Sequence, residues 1–476
     1  MVRRARPAEL PAVRELVDRC GLDSGGLDQA VVFVAEVDGR LAGTVALEQH
    51  GTGGSLAFLL RSAAVDPAAR GRGLGDALVR AALRHVDAVR APAALLTENA
   101  EGYFPRFGFA PVSRDELPAA LLESSQLLGG CPASAHALLR PGLTVSNDVS
   151  SRTAVAGPSV WRAADMADPR AWTIELDDEQ RRDIVTAAVA AARDGRTVAT
   201  LTADDMPMPS LRPLIEAVVA ALTAGRGFVL LRGFPIDELD MPTTELAYVG
   251  LGLQLGTPVG QDAKASLLGH VRDERVPRTG PHIRLYQTHH RQDFHTDGAD
   301  IVGLLCLHRA VAGGESRLAS THAVYNHILE TRPDLLEVLY QPFAWDRNDE
   351  QAAGDPPYFL LPAIHDWDGV PRVFYIGWYI RDAQRHPDAP RLTAAQRDAM
   401  ELLEETANDP TFYVEMDFQP GDIQLIANWN ILHAREAYED ADDPADRRHL
   451  LRLWLKAHDF AGANELLRDG IPDRGE

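Results

Sequence analysis

Phe294-His295-Thr296-Asp297-Gly298 is the stretch on which the reading of this chain turns. Its counterpart lies far downstream, at Asn430-Ile431-Leu432-His433, and is followed by Arg447-Arg448-His449-Leu450-Leu451-Arg452. Together they supply two imidazoles, one carboxylate and a cluster of guanidiniums. Two His and one carboxylate bind an Fe(II) ion on one face and leave positions free for O2 and a co-substrate. If His295 and Asp297 share a strand, residues two apart point to the same side and can grip one ion. His433 would then close the site from a distant strand. An arginine at 448 or 452 would take a carboxylate through two parallel hydrogen bonds, a geometry lysine lacks.

Each piece alone is ordinary. A His-x-Asp pair usually marks a loop or a surface, and an Arg-Arg pair a solvated face. The order of the pieces is what counts: His-x-Asp, a glycine pair, a distal His, then arginines within an apolar strand. His289 and His290 are rival imidazoles near His295 and are read as flanking, substrate-facing residues.

Residues 227–454 resemble the taurine dioxygenase-like branch of the Fe(II)/2-oxoglutarate oxygenases. The resemblance is carried by Gly227-Phe228-Val229-Leu230-Leu231-Arg232-Gly233-Phe234, His295 with Asp297, Gly313-Gly314-Glu315-Ser316, Pro420-Gly421-Asp422, His433 and the arginines after it. It implies that His295, Asp297 and His433 are iron ligands. Arg448 and Ser316 would hold the distal carboxylate of 2-oxoglutarate, and Arg452 an anionic substrate. The stretch from His433 to Arg448 is longer than in compact members, which leaves Arg447, Arg448 and Arg452 open as the co-substrate arginine. Asp297, in place of Gly or Ala, argues against the halogenase variant.

Composition agrees. A chain of 476 residues exceeds one ordinary core. Cys20, Cys131 and Cys306 form no metal or disulfide pattern, which fits a reducing compartment and a cytoplasmic enzyme. The basic start Met1-Val2-Arg3-Arg4-Ala5-Arg6 is not followed by an apolar run, so neither a secretion signal nor a membrane span is expected. The net charge is −22 and unevenly spread. Residues 1–144 hold 15 Arg against 16 Asp and Glu, leaving 32 of the 47 basic and 53 of the 69 acidic side chains to the rest. Such an acidic C-terminal part does not suit nucleic acid. A local arginine pocket can still attract a small anion. The expected partner is thus a small-molecule substrate, with no nucleic acid and no membrane. Self-association into a homo-oligomer is left open.

Three regions follow along the chain: residues 1–143, a linker at 144–158 with little periodicity, and residues 159–476. In the first, Leu10, Val13 and Val17 have helical spacing. Strands are read at 30–36, 41–48, 56–65 and 94–97, with a helix over 76–89. In the third, helices are read at 177–193, 211–222 and 393–406 within a strand-rich core. Two His and an Asp converging inside such a core suit a double-stranded β-helix, a jelly-roll relative, with flanking helices.

Arg70-Gly71-Arg72-Gly73-Leu74-Gly75 lies between a strand and a helix. Exposed N–H groups at a helix start favour an anion, and glycines let a pyrophosphate approach the backbone. A tight strand–helix turn needs similar residues, so the loop alone decides little. Residues 1–140 resemble GNAT acetyltransferases, an α/β fold whose acetyl-CoA loop reads Arg/Gln-x-x-Gly-x-Gly/Ala. More narrowly they resemble acetyltransferase-like proteins linked to arsenic-resistance loci. The matching residues there are Leu60-Arg61-Ser62, Ala100-Glu101-Gly102-Tyr103-Phe104, Phe107-Gly108-Phe109-Ala110-Pro111-Val112 and Cys131-Pro132-Ala133-Ser134-Ala135. The resemblance implies that Arg70, Gly71, Gly73 and Gly75 cradle acetyl-CoA. The position four before Gly108, commonly a Tyr that protonates the leaving thiolate, is Phe104. Tyr103 is one residue off and expected to point elsewhere. Glu98 as a base and Cys131 as a thiol each have a plain alternative, a surface carboxylate and a small core residue.

The reading is an Fe(II)/2-oxoglutarate-dependent dioxygenase fused to a GNAT-like domain. O2 and 2-oxoglutarate would give succinate, CO2 and, by default, a hydroxylated product. Desaturation or ring closure is not separated by these residues. Neither is a silent N-terminal scaffold from a two-step catalyst.

Overall fold

The computed structural model describes residues 2–37, 40–51, 55–88, 91–130, 132, 134–142, 152–262, 264–276, 284–350, 357–367 and 369–458. The N-terminal region is one seven-stranded sheet ordered β1-β2-β3-β4-β5-β7-β6. Its strands are β1 (Val2–Arg4), β2 (Val31–Val37), β3 (Arg40–His50), β4 (Ala57–Val65), β5 (Ala93–Thr97), β6 (Ala110–Val112) and β7 (His136–Arg140). Helices α1 (Leu10–Arg19) and α2 (Leu74–Ala88) pack on it. Val13 and Val17 of α1 are buried against Val32 and Val34, as the helical spacing predicts. β4 and β5 are parallel and pair only at Phe58–Ala93 and Leu59–Ala94. Beyond that point they part, and β4 runs on toward the glycine loop.

The linker expected at 144–158 lies partly outside the described residues. Its described end is fastened to the C-terminal region. Arg152 pairs with Glu337 and Asp366, and the Val155 backbone exchanges hydrogen bonds with the Asn326 amide.

The C-terminal region is built on two sheets. The larger is ordered β10-β24-β13-β21-β9-β8, with β11 also on β24. It comprises β8 (Thr173–Glu175), β9 (Phe228–Arg232), β10 (Gly256–Pro258), β11 (Leu268–Val271), β13 (Ile301–His308), β21 (Ile423–Ala427) and β24 (His449–Ala457). The smaller is ordered β12-β22-β15-β20: β12 (Gln292–His295), β15 (Ser316–Ser320), β20 (Tyr413–Met416) and β22 (Ile431–Arg435). Two hairpins and one pair distant in sequence complete the strands: β16 (Pro342–Asp346) with β17 (Tyr358–Pro362), β18 (Ile364–Trp367) with β19 (Val370–Val373), and β14 (Ala312–Gly313) with β23 (Tyr438–Glu439). This is the double-stranded β-helix.

Alternation along the strands separates the layers. In β24, Leu451, Leu453 and Leu455 face α3 (Asp178–Arg193), α4 (Arg212–Thr223) and α5 (Met241–Leu253), while Leu450 and Trp454 face the barrel interior. β13 divides likewise: Ile301, Leu305 and Leu307 go outward, Val302 and Cys306 inward. The smaller sheet is covered by α6 (Thr321–Thr331), α7 (Pro333–Leu339), α8 (Gly377–Asp382) and α9 (Ala394–Asn408). Caps set the helix starts. Asp177 accepts from the Glu179 and Gln180 amides, and Thr393 from that of Gln396.

Two of the quoted motifs form one clasp. Arg232 makes a bidentate pair with buried Asp422, and the Phe234 amide donates to the Gly421 carbonyl. Gly421 sits at φ +84°, where a Cβ would lie 2.7 Å from the Phe234 oxygen. The turn therefore requires glycine.

Candidate active site

His295 ends β12, and His433 lies directly opposite it on β22. Their rings are 4.1 Å apart. The Asp297 carboxylate approaches His295 Nε2 at 3.9 Å and His433 Nε2 at 3.6 Å. All three residues are buried, and one ligand atom from each lies within 4.8 Å of the others. Among the described residues this is the one group of three or more His, Cys, Asp or Glu able to hold a metal ion. Asp297 is not delivered by strand alternation as expected, because β12 stops at His295. Asn428 places it instead. Its side chain accepts from the Asp297 amide and donates to the Asp297 and Ala299 carbonyls at 2.7–2.8 Å. Thr296 between the ligands is tied to the Tyr375 backbone by two hydrogen bonds.

The donor chemistry fits a divalent ion. His295 Nδ1–H donates to the Asp293 carbonyl at 2.8 Å, which directs the Nε2 lone pair to the centre. The Gln292 amide donates to that lone pair at 3.0 Å. Burial, aided by the charge of His433, lowers His295 to about 3, so it is neutral at ordinary pH and ready to ligate. Burial pushes the Asp297 carboxyl upward, but Arg452 and the two imidazoles outweigh it and hold it ionised, well below the usual range. The Trp454 indole donates to Asp297 Oδ2 at 3.1 Å. His433 Nδ1 is buried with no hydrogen-bond partner.

These groups open into one cavity. Arg448 and Arg452 both line it, as does Ser316. Arg447 does not: it bonds the Ala441 and Asp442 carbonyls in the preceding loop. Arg448 is buried, its guanidinium over the Tyr438 ring at 4.9 Å and its Nη1 without a partner. Ser316 exchanges hydrogen bonds with Gln424. Arg452 lies between the Tyr286 and Trp454 rings, each 4.6 Å away, donates to Gln261 at 2.7 Å, and stands 3.8 Å from Asp297. Trp378 of α8 packs on the His295 ring at 4.9 Å.

His289 and His290, expected to face substrate, lie outside the cavity. His289 is exposed and paired with Asp273 at 2.9 Å. The His290 carbonyl accepts from Arg435, and its ring lies 4.3 Å from that of His289. Arg435 itself was missed. It lies two residues after His433 on one strand, so alternation alone points it inward. It is buried, lines the cavity, and burial with the neighbouring Arg448 lowers it to about 10. Gln292, Gln261 and Tyr286 were missed too, because no spacing rule links them to the metal ligands.

At the N-terminal loop, Gly71 and Gly73 have φ +78° and +76° with open space around them. Arg70 is exposed and donates to the Val65 carbonyl. Gly75 faces the Tyr103 hydroxyl, which lies 2.9 Å from where a Cβ would stand. Tyr103 therefore does not point away from the loop: it donates to Asp76 in the first turn of α2 at 2.8 Å. Burial and that bond raise it to about 12. Phe104 is buried in the core, edge-on to Phe109. Cys131 lies outside the described residues.

Residues 194–454 match the model of the taurine catabolism dioxygenase TauD, TfdA family. The chain belongs to that family. It is an Fe(II)/2-oxoglutarate-dependent dioxygenase with a GNAT domain in front, residues 28–111 matching the acetyltransferase (GNAT) model. Among curated relatives, an FR-33289 synthase from Streptomyces rubellomurinus is 33% identical over 304 residues, covering 63% of this chain and 90% of the relative. A taurine hydroxylase-like protein from Stachybotrys chartarum is 31% identical, covering 56% and 71%. A uridine-5'-phosphate dioxygenase from an Amycolatopsis species is 25% identical, covering 56% and 95%. Among solved structures, an asparagine oxygenase aligns at a TM-score of 0.47 with 16% identity, over 60% of this chain and 93% of that one. No helix among the described residues is long and apolar enough to cross a membrane.

Proposed function

We propose that this dioxygenase hydroxylates a small anionic molecule. His295, Asp297 and His433 would hold Fe(II), which when bound supplies O2 activation coupled to breakdown of 2-oxoglutarate. Arg448 and Ser316 take the distal carboxylate of that co-substrate, and Arg452 takes the anion of the substrate. The observation that carries the reading is one buried cavity in which two imidazoles and a carboxylate meet arginines that lack a full set of partners. A buried guanidinium needs an anion. Arg452 supports the substrate role, since it stands beside Asp297 and is held in a fixed pose by two rings and Gln261. A relative named for a nucleotide phosphate supports an anionic substrate as well.

The N-terminal domain, read as of the arsenic-resistance-linked kind, binds acetyl-CoA at Arg70–Gly75 and is slow or silent in transfer. Burial of Phe104 in the core favours this over a two-step catalyst. The protein is cytoplasmic and acts in secondary metabolism or resistance. The test is succinate release from 2-oxoglutarate, assayed with Fe(II) against a panel of amino acids, sulfonates, phosphonates and acyl derivatives. Stimulation by an anionic member, lost in Arg452→Lys, supports the reading. Stimulation by neutral compounds alone contradicts it.

A further inference from the structure

We propose that Arg435 is a second anchor for the distal carboxylate of 2-oxoglutarate, so that two guanidiniums grip the tail of the co-substrate. This rests on reading the cavity as the co-substrate site. Arg435 is 7% exposed and lines that cavity with Arg448. Its Nη2 donates to the His290 carbonyl, which fixes the side chain, while its Nε and Nη1 are buried with no partner. Arg448 Nη1 is in the same condition. Neither arginine makes an ion pair among the described residues. Both guanidiniums lie over one ring, that of Tyr438, each 4.9 Å from its centre. Ser316 stands directly across from Arg435 in the β15–β22 register.

Two cations brought together out of water repel each other and lose their hydration, which only a shared anion offsets. A side chain kept for packing alone would have its N–H groups satisfied by protein. Arg435 keeps free donors at Nε and Nη1, on different edges of its guanidinium, and Arg448 keeps one at Nη1. A carboxylate accepts about four hydrogen bonds and can take one from each arginine. Arg452 is seated apart, between Tyr286 and Trp454 and beside the metal ligands, which leaves the substrate anion to it.

The experiment is an anaerobic titration of the full-length Fe(II)-loaded protein with 2-oxoglutarate and with 2-oxobutyrate, which lacks the distal carboxylate. Dissociation constants are read by calorimetry. Arg435→Gln is expected to weaken 2-oxoglutarate about tenfold to a hundredfold and to leave 2-oxobutyrate and Fe(II) binding unchanged. Arg435→Lys, which keeps the charge but loses the fork, should fall between. It decides the matter in the same way if Arg435→Gln does not fold. Equal weakening of both acids would show a structural role and overturn the proposal, as would no weakening of either. Arg448→Gln separates this inference from the reading beneath it. If the wild type does not distinguish the two acids, the co-substrate site itself is misplaced. If Arg448→Gln abolishes the distinction and Arg435→Gln leaves it intact, Arg435 alone is wrong.

Discussion

Arg448 and Arg452 sit four residues apart on one chain segment and face the same cavity, yet their surroundings differ. Arg448 keeps an unpartnered nitrogen near Ser316; Arg452 is clamped beside Asp297. Arg448→Lys should therefore raise the 2-oxoglutarate concentration needed for succinate formation by about tenfold to a hundredfold, the equivalent of about 1.5–3 kcal/mol. Arg452→Lys should raise the substrate requirement more than that for 2-oxoglutarate. Kinetics of both variants would show the roles reversed if Arg452→Lys gave the larger co-substrate defect. A second residue-scale prediction concerns acid. Burial holds His322 at about 4, its Nε2–H donating to the Pro371 carbonyl and its Nδ1 accepting from Ser159. His295 is held at about 3. Both depart downward from the ordinary 6.5. The unfolded chain thus takes up protons below that value while the folded one does not, and stability falls as pH drops from 6.5 toward 4. Urea midpoints of the metal-free protein should be lower at about pH 5 than at about pH 7.5. A midpoint that rises on acidification would contradict the assignment. The two imidazoles and Asp297 were legible in the sequence because three side chains in fixed order, followed by arginines, suffice to suggest a metal. Asn428 and Gln261 were not, because an amide that clamps a backbone leaves no pattern.

At the scale of elements, the clasp between β9 and β21 explains why Gly227–Phe234 and Pro420–Asp422 stand out in the sequence. Asp422 is fully buried and takes both Arg232 bonds plus the Gln419 amide. Arg232 is 40% exposed, so its charge returns to water when the partner is lost. Asp422→Ala should then cost about 1–3 kcal/mol, less than a wholly buried pair, by chemical denaturation. No measurable loss would mean that the clasp is ornamental. The loop before α2 carries the next prediction. Gly73 at φ +76° faces open space, so Gly73→Asp strains the turn and sets a negative charge where phosphates would lie. Acetyl-CoA binding by calorimetry should be weakened or lost. Undetectable binding in the wild type would make the domain a scaffold. Helices with one apolar stripe, such as α3 and α9, were readable from their period and caps. α5 was not, because Leu246 to Gly252 are buried in unbroken sequence and no polar face remains. Gly250 and Gly252 weaken its helical propensity further, and they are there because Met206 and Leu453 pack where a Cβ would be.

Over the whole molecule, charge and site pull in opposite directions. The chain carries −22 overall, most of it in the C-terminal part, yet the cavity gathers three buried arginines. Net charge describes the whole surface, and only local geometry says what the site attracts. The two-part organisation was legible because the motifs of each part are dense. The boundary was less so: residues from 152 onward are composed like a linker but are pinned by Glu337, Asp366 and Asn326, partners distant in sequence. His295, Asp297 and His433 are proposed to hold the catalytic iron together. Anaerobic titration of the full-length protein with Fe(II) and then 2-oxoglutarate, run on the wild type and on His295→Ala, Asp297→Ala and His433→Ala, tests it most directly. Saturable binding is expected in the wild type, with loss in each variant and an unchanged circular dichroism spectrum throughout. Full Fe(II) binding and succinate formation in any of the three would contradict it.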